Sequence, residues 1–320
     1  MAAEEYIIQT EELRKAFYSR QQRRQIQAIK GIHLSIRPGE TFGLIGPDGA
    51  GKTTMMRLLA GLMRPTGGRA TVCGYDTVRD AFHIKERVGY MAQQFSLYGD
   101  LTVAENLRFF GNVYGVDPAI QGKRFSQLLS FAGLERFRER RAAQLSGGMR
   151  KKLALACLLI HEPGVALLDE PTLGVDPVSR REFWNLLSAL RAEKGLTILV
   201  CTPYMDEAER CHRVGLILDG ELLACDTPAN IKAMVSQELI QLRASDLRKA
   251  KEVLQDMGGV LELQTYGNLL HLFLDNAERR EPEVKMALQA AGIGVEELCR
   301  VQPRMEQAFI SLISRRRRQH

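Results

Sequence analysis

Short apolar runs separated by amphipathic stretches set the pattern of the chain from Tyr6 to Cys225. Tyr6-Ile7-Ile8 predicts a first strand, and Ile32-His33-Leu34-Ser35-Ile36 alternates as a half-buried strand does. Uninterrupted apolar runs recur at Phe42-Gly43-Leu44-Ile45, Val88-Gly89-Tyr90-Met91, Val165-Ala166-Leu167-Leu168, Thr197-Ile198-Leu199-Val200-Cys201 and Val214-Gly215-Leu216-Ile217-Leu218. Runs of this kind, alternating with helical stretches, predict an α/β fold around a largely parallel sheet covered on both faces. Gly67-Gly68 predicts a turn into the short strand Ala70-Thr71-Val72, and Asp219-Gly220-Glu221 a hairpin-like turn into Leu222-Leu223-Ala224-Cys225. Residues 101–160 break the alternation with a helical block, opened by Thr102 as N-cap with Glu105 completing a capping box. That block reads as an inserted helical subdomain, about residues 94–160.

From about Ser236 the pattern changes. Strand-like residues 239–243, 260–264, 269–274 and 296–301 and helical residues 247–257 and 283–291 spell β-α-β-β-α-β, the order of a small ferredoxin-like α+β domain. A last helix places Met305, Ala308, Phe309, Leu312 and Ile313 on one face. The expected domains are therefore residues 1–230 and 236–320, the second ending in a basic tail.

Composition changes this picture little: 45% hydrophobic and 26% charged residues are ordinary for a globular chain. The net charge of +6 resembles a nucleic-acid signal until it is located, for the four arginines 315–318 carry most of it and leave +2 for the body. A nearly neutral body argues against a broad basic face, so no nucleic-acid partner is expected. The arginine run reads as a solvated end, or as a contact with an anionic leaflet worth about 1 kcal/mol per arginine. Six cysteines without a C-x-x-C pair read as buried, reduced thiols of a cytosolic protein. No apolar run reaches the ~18 residues of a spanning helix, and the first residues are acidic where a signal peptide is basic. The chain is expected in the cytoplasm, reaching a membrane only through a partner.

The chemistry concentrates at Gly46-Pro47-Asp48-Gly49-Ala50-Gly51-Lys52-Thr53-Thr54, which follows an apolar strand and opens a helix. Its glycines let backbone N–H groups converge on a phosphate chain, and the opening helix adds its dipole. Lys52 would reach the β- and γ-phosphates of ATP, and the Thr53 hydroxyl would ligate Mg²⁺. Asp169-Glu170 ends another buried strand, where Asp169 would hold the metal and Glu170 would orient or deprotonate the attacking water. Leu145-Ser146-Gly147-Gly148-Met149 opens a helix and reads either as a glycine-containing cap or as a second anion site, one that would meet a nucleotide held by another subunit. Phe17, ahead of the neighbouring Tyr18, is a candidate to stack on the base, or else is core.

Taken together the motifs resemble the ABC-type ATPases: the phosphate loop, Gln93, the residue 145–149 motif, Asp169-Glu170 and Gly174-Val175-Asp176 stand in that family's order. Residues 98–107, Tyr204-Met205-Asp206-Glu207-Ala208-Glu209 and the C-terminal extension resemble the drug-resistance ATPase subfamily. The resemblance implies a P-loop NTPase (RecA-like) core and an ATPase at the cytoplasmic face of the cell membrane, energising export of drugs or other amphiphiles by separate permease subunits; the alternatives are a soluble cassette acting on the ribosome or nucleic acid and a catalytically weak ATP-binding regulatory cassette. It implies two cassettes sandwiching two ATPs, each held by residues 46–54 of one subunit and by Ser146 and Gly148 of the other. Lys52, Gln93 and Glu170 would be catalytic, Gln93 would also ligate Mg²⁺, and Asp176 would lie at the dimer seam. Phe95, Leu97 and Tyr98 are candidates to receive a permease helix, or else are subdomain core.

One position departs from the family. Pro203 stands where its switch histidine is expected, and proline offers neither a side-chain donor nor an N–H. Loss of one transition-state donor typically lowers turnover by about 10²–10³. The chain would then hydrolyse slowly as a homodimer, recruit another group, or pair with a second cassette whose histidine completes one site. The retained Glu170 favours the last.

Overall fold

The structure is a computed structural model describing residues 5–19, 24–94, 97–234 and 238–319, the side chains of residues 19, 314, 315 and 317–319 excepted. Phe95 and the side chains of Arg315, Arg317 and Arg318 lie outside the described residues. The chain divides into two compact units, residues 1–227 and 228–320.

The centre of the first unit is a six-stranded sheet in the order Glu221–Asp226, Arg213–Leu218, Thr41–Ile45, Thr197–Thr202, Val165–Asp169, Val88–Met91. All neighbours are parallel except the pair formed by the first two strands of that order, joined by the predicted hairpin. Every residue of Thr41–Ile45, Val165–Asp169 and Thr197–Thr202 is buried, as apolar runs flanked by helices require. The helix Lys52–Leu59 packs Met55, Met56, Leu58 and Leu59 into one cluster with Phe42, Leu44, Leu167 and Leu199. Each fully buried side chain of this size contributes about 1.5–3 kcal/mol.

Beside it stands an antiparallel sheet in the order Arg24–Ile36, Ile8–Ser19, Gly67–Val72, Tyr75–Asp76. Two expectations change here. The first strand is longer than Tyr6-Ile7-Ile8 and carries Phe17 and Tyr18, because it pairs along its length with Arg24–Ile36, a long-range contact invisible in a three-residue pattern. Gly67 and Gly68 lie inside a strand instead of a turn. There Gly68 takes φ 70°, where an added Cβ would sit 2.0 Å from the Glu12 carbonyl oxygen. The register shifts at the same point, between Glu11 and Arg14, so the glycine serves a bulge.

The helical block lies between strands Val88–Met91 and Val165–Asp169 as helices Val103–Val113, Pro118–Ala132 and Gly147–Leu159. Its entry is fixed twice. Thr102 Oγ1 accepts from the Glu105 N–H while Glu105 Oε2 accepts from the Thr102 N–H at 2.8 Å, the expected capping box. The fully buried Asn106 amide donates to the carbonyls of Tyr98, Leu101 and Thr102 and accepts from the Tyr98 N–H, tying the preceding turn to the helix.

The second unit runs as helix Pro228–Ala233, strand Glu238–Ala244, helix Leu247–Leu254, strands Val260–Tyr266 and Leu269–Leu274, helix Ala277–Ala290, strand Val295–Val301 and helix Met305–Gln319. Its antiparallel sheet has the order Val260–Tyr266, Leu269–Leu274, Glu238–Ala244, Val295–Val301 over its own core of Ile240, Leu242, Leu272, Val284 and Leu288. Helix Ala277–Ala290 begins earlier than predicted and runs through Pro282, with Asn276 as its cap.

The cysteine expectation needs correction. Cys157, Cys201 and Cys211 are buried, whereas Cys73, Cys225 and Cys299 are half-buried, and none of the six forms a disulfide. Strand-edge and turn positions leave the latter three partly in contact with solvent.

Replacing Thr102 with Ala removes one side of the capping box and is expected to cost about 1 kcal/mol. Thermal denaturation should show a melting temperature lower by about 2–4 °C, with faster amide exchange in the helix that follows.

Candidate nucleotide-binding site

Strand Thr41–Ile45 delivers the glycine loop at the carboxyl edge of the sheet. Register fixes what stands beside it: Ile45 pairs with Thr202, and Asp169 pairs with Cys201 on the other side of the same central strand. The loop runs close to other backbone. A Cβ at Gly46 would lie 2.2 Å from the Ile217 carbonyl oxygen, and one at Gly51, φ 107°, would lie 2.5 Å from that of Ala28. Only glycine fits either place.

Lys52, 4% exposed, donates its ammonium to the carbonyls of Gly46 at 2.8 Å and Pro47 at 3.0 Å. The same nitrogen lies 3.6 Å from Glu170 Oε1. Gln93 Nε2 donates to the other oxygen of Glu170 at 2.7 Å, and Thr53 Oγ1 donates to Asp169 Oδ1 at 3.2 Å. A cavity of about 250 Å³ is lined by Ala28, Asp48, Gly49, Gly51, Lys52, Thr53, Thr54, Gln93 and Glu170. The phosphate-loop candidates, Gln93 and Glu170, distant in sequence, thus share one space. Gly46 and Pro47 do not line it; their carbonyls accept from Lys52, which does. Ala50 is buried and supports the loop, its carbonyl accepting from the Gly220 N–H at 3.0 Å.

Burial sets the electrostatics. Desolvation raises the Asp169 carboxyl above the usual carboxylate range, and the Thr53 hydroxyl offsets this in part. Its Oδ2 is buried without a hydrogen-bond partner. Glu170 adopts φ 49°, a left-handed conformation unfavourable for a non-glycine residue, and its N–H donates to the Cys201 carbonyl at 2.9 Å. Among the described residues there is no group of three or more His, Cys, Asp and Glu able to hold a metal by themselves. The Asp169 oxygen beside the Thr53 hydroxyl suits Mg²⁺, which is ordinarily held by one or two carboxylates together with substrate phosphates.

The other candidates form a separate group. Ser146 is exposed and caps helix Gly147–Leu159, accepting from the Met149 N–H at 3.2 Å. A Cβ at Gly148 would meet Ser179 Cβ at 2.6 Å, so this helix start packs on helix Pro177–Lys194, whose cap is Asp176. Asp176 accepts from the N–H groups of Val178 and Ser179. Gly147 lines a second cavity of about 540 Å³ with Gln93, Leu97, Lys151 and Gly174. Phe17 and Tyr18 do not line the 250 Å³ cavity. Phe17 is 40% exposed, faces Ile26 across the hairpin and has the Lys15 ammonium 5.2 Å from its ring centroid, so it is not core. Tyr98 is 48% exposed and packs edge-on against Phe109.

Pro203 follows strand Thr197–Thr202, and the Tyr204 N–H beyond it donates to Thr202 Oγ1 at 3.1 Å. Motif reasoning missed three participants. Ala28 contributes a strand position with no chemical signature; Cys201 holds Glu170 through a main-chain carbonyl. Lys151 donates to the Gln93 carbonyl at 3.5 Å, and its burial pushes its ammonium below the usual lysine range while Glu170 and Asp169 oppose that shift.

The family model described as ABC transporter matches residues 29–173. Over 234 residues, 73% of its length, the chain is 43% identical to the probable multidrug ABC transporter ATP-binding protein YbhF of Escherichia coli (strain K12) and spans 39% of that protein. It is 30% identical over 314 residues, 97% of its own length and 99% of the relative's, to the linearmycin resistance ATP-binding protein LnrL of Bacillus subtilis (strain 168). Among solved structures it is similar to the ATP-binding cassette MJ0796, a dimer in a post-hydrolysis state with ADP and phosphate, at 29% identity and a TM-score of 0.62, over 69% of this chain and 98% of that one. The glycine loop, Gln93, the capped glycine helix and the paired strand-end carboxylates all fall inside the span that the family model matches, and the chain belongs to the ATP-binding proteins of ABC transporters.

Proposed function

We propose that the chain is the ATP-binding and ATP-hydrolysing subunit of an exporter of drugs or other amphiphiles, working with separate permease subunits at the cytoplasmic face of the cell membrane. The observation that carries this is the cavity gathering Lys52, Thr53, Gln93 and Glu170, while the capped helix start at Ser146 stands outside it, exposed. A phosphate chain in the cavity would take over the Lys52 ammonium, which the loop's own carbonyls now occupy. Thr53, Asp169 and Gln93 would hold Mg²⁺, which when bound neutralises charge on the phosphates. Glu170 would orient the attacking water and accept its proton. Ser146 and Gly148 of a second cassette would close the nucleotide from the far side, with Asp176 at the seam and Phe17 against the base.

The names of YbhF and LnrL support export as the process served. No helix among the described residues is long and apolar enough to cross a membrane. The first unit carries a groove of about 840 Å³ in which Leu62, Phe82, Val113, Tyr114 and Ile120 stand beside Lys85, Glu86, Asp117 and Arg124, with Phe82 72% and Val113 62% exposed. Such a groove suits a cytoplasmic helix of the permease better than Leu97 and Tyr98 alone. The second unit, with its β-α-β-β-α-β order, is a ferredoxin-like accessory domain. Pro203 makes turnover slow in a homodimer, and a second cassette bearing histidine at that position is the favoured partner.

Lys52→Ala should abolish both MgATP binding and turnover; a variant that hydrolyses at the wild-type rate would overturn the assignment. Asp169→Asn separates stability from metal binding. A carboxyl raised by burial makes the ligand-free fold less stable as pH rises from the unfolded carboxylate value through its own raised one, a penalty that persists above it. At pH 7.5 the ligand-free Asn variant should therefore melt no lower than wild type. The stabilisation by saturating MgATP, about 2.7 kcal/mol at a hundredfold excess over Kd, should vanish. Pro203→His should raise steady-state turnover by about a hundredfold or more, the range ascribed to one transition-state donor; an unchanged rate would show that the position does not limit hydrolysis.

A further inference from the structure

Resting on the ATPase reading above, we propose that Arg180 and Glu207 are positioning residues that hold the turn after Pro203 against the turn after Glu170, in a site whose switch position has no side chain able to do so.

Glu207 is 1% exposed, and a carboxylate buried to that degree persists only with partners. It has two. Thr172, two residues beyond Glu170, donates its hydroxyl to Glu207 Oε1 at 2.6 Å, and Arg180 Nε lies 3.9 Å from the same oxygen. The Arg180 guanidinium also covers the Tyr204 ring at 4.5 Å and lies 3.6 Å from Asp206 Oδ2. Arg180 and Glu207 together therefore join three segments: Glu207 reaches Thr172 in the turn that follows Glu170, and Arg180 ties the turn that follows Pro203 to the helix capped by Asp176. Arg180 belongs to that helix, its N–H donating to the Asp176 carbonyl at 2.9 Å.

The joint is one bond short. Arg180 Nε and Glu207 Oε2 are both buried without a hydrogen-bond partner. A small approach of the Pro203 turn to the helix capped by Asp176 would satisfy the guanidinium, and the Thr172–Glu207 bond would carry the Glu170 turn with it. Misplacement by an ångström at such a distance from the reacting atoms is enough to cost about a hundredfold in rate. Arginine is required by this arrangement, since lysine keeps the charge but lacks the planar group that both stacks on Tyr204 and faces two carboxylates.

The test is a kinetic cycle on the full chain, with Arg180→Ala, Arg180→Lys and Glu207→Gln each made in the natural sequence and in Pro203→His. ATP turnover, KM and melting temperature are measured for each, at subunit concentrations where the rate per chain no longer rises. In the natural sequence Arg180→Ala should lower kcat by at least about tenfold with KM within about twofold, and Arg180→Lys should recover part of it. With histidine at 203 the loss should shrink to about threefold or less, a coupling between the two positions. Should Arg180→Ala fold poorly, Glu207→Gln, which keeps the volume and an acceptor oxygen, is read by the same criterion. Equal losses in both backgrounds, or a lowered melting temperature with kcat unchanged, would overturn the positioning role alone. No turnover in either background would overturn the ATPase reading and this inference with it.

Discussion

Three parallel strands that end at one level determine what this protein can do. Thr41–Ile45, Thr197–Thr202 and Val165–Asp169 lie side by side, and their pairing fixes Ile45 next to Thr202 and Asp169 next to Cys201. Because all three are completely buried, a register slip would carry apolar side chains into the wrong layer, so the positions of the strand ends are held by the whole core. The glycine loop and the paired carboxylates leave from those ends, and in open α/β sheets this carboxyl edge is where ligands bind.

The edge concentrates charge in a space that stabilises it poorly. Asp169 and Glu170 are adjacent and buried, Lys52 is 4% exposed, and one oxygen of Asp169 has no partner. Lys52 donates to its own loop carbonyls and lies beside Glu170, and Gln93 holds the far oxygen of Glu170. In the proposed reading a phosphate chain with its cation would meet this deficit, adding negative charge at Lys52 and positive charge at Asp169. The strained backbone of Glu170 belongs to the same economy, for a left-handed residue is kept only where its surroundings fix it.

Much of this was legible in the sequence because it is local. A glycine loop between an apolar strand and a helix, an Asp-Glu pair ending an apolar run, and the capping box at Thr102 and Glu105 each occupy a few consecutive residues whose spacing carries the physics. The parts that were not legible depend on contacts far apart in the chain. The long first strand exists because Ile8–Ser19 pairs with Arg24–Ile36 and Gly67–Val72, and Gly68 reads as a turn until the Glu12 carbonyl is seen against it. Ala28 lines the cavity through position alone, and Arg180 meets Glu207 and Tyr204 only after the sheet has brought two turns together.

In the proposed reading one chain holds only half of a nucleotide site and a second cassette supplies the rest. Sedimentation of the Glu170→Gln chain, in which bound ATP should survive, measures this most directly. The expected result is a monomer without nucleotide, a dimer with MgATP, and a monomer again when Ser146→Arg blocks the capped helix of the facing subunit. A dimer that forms equally without nucleotide, or that persists in the Ser146→Arg variant, would contradict it.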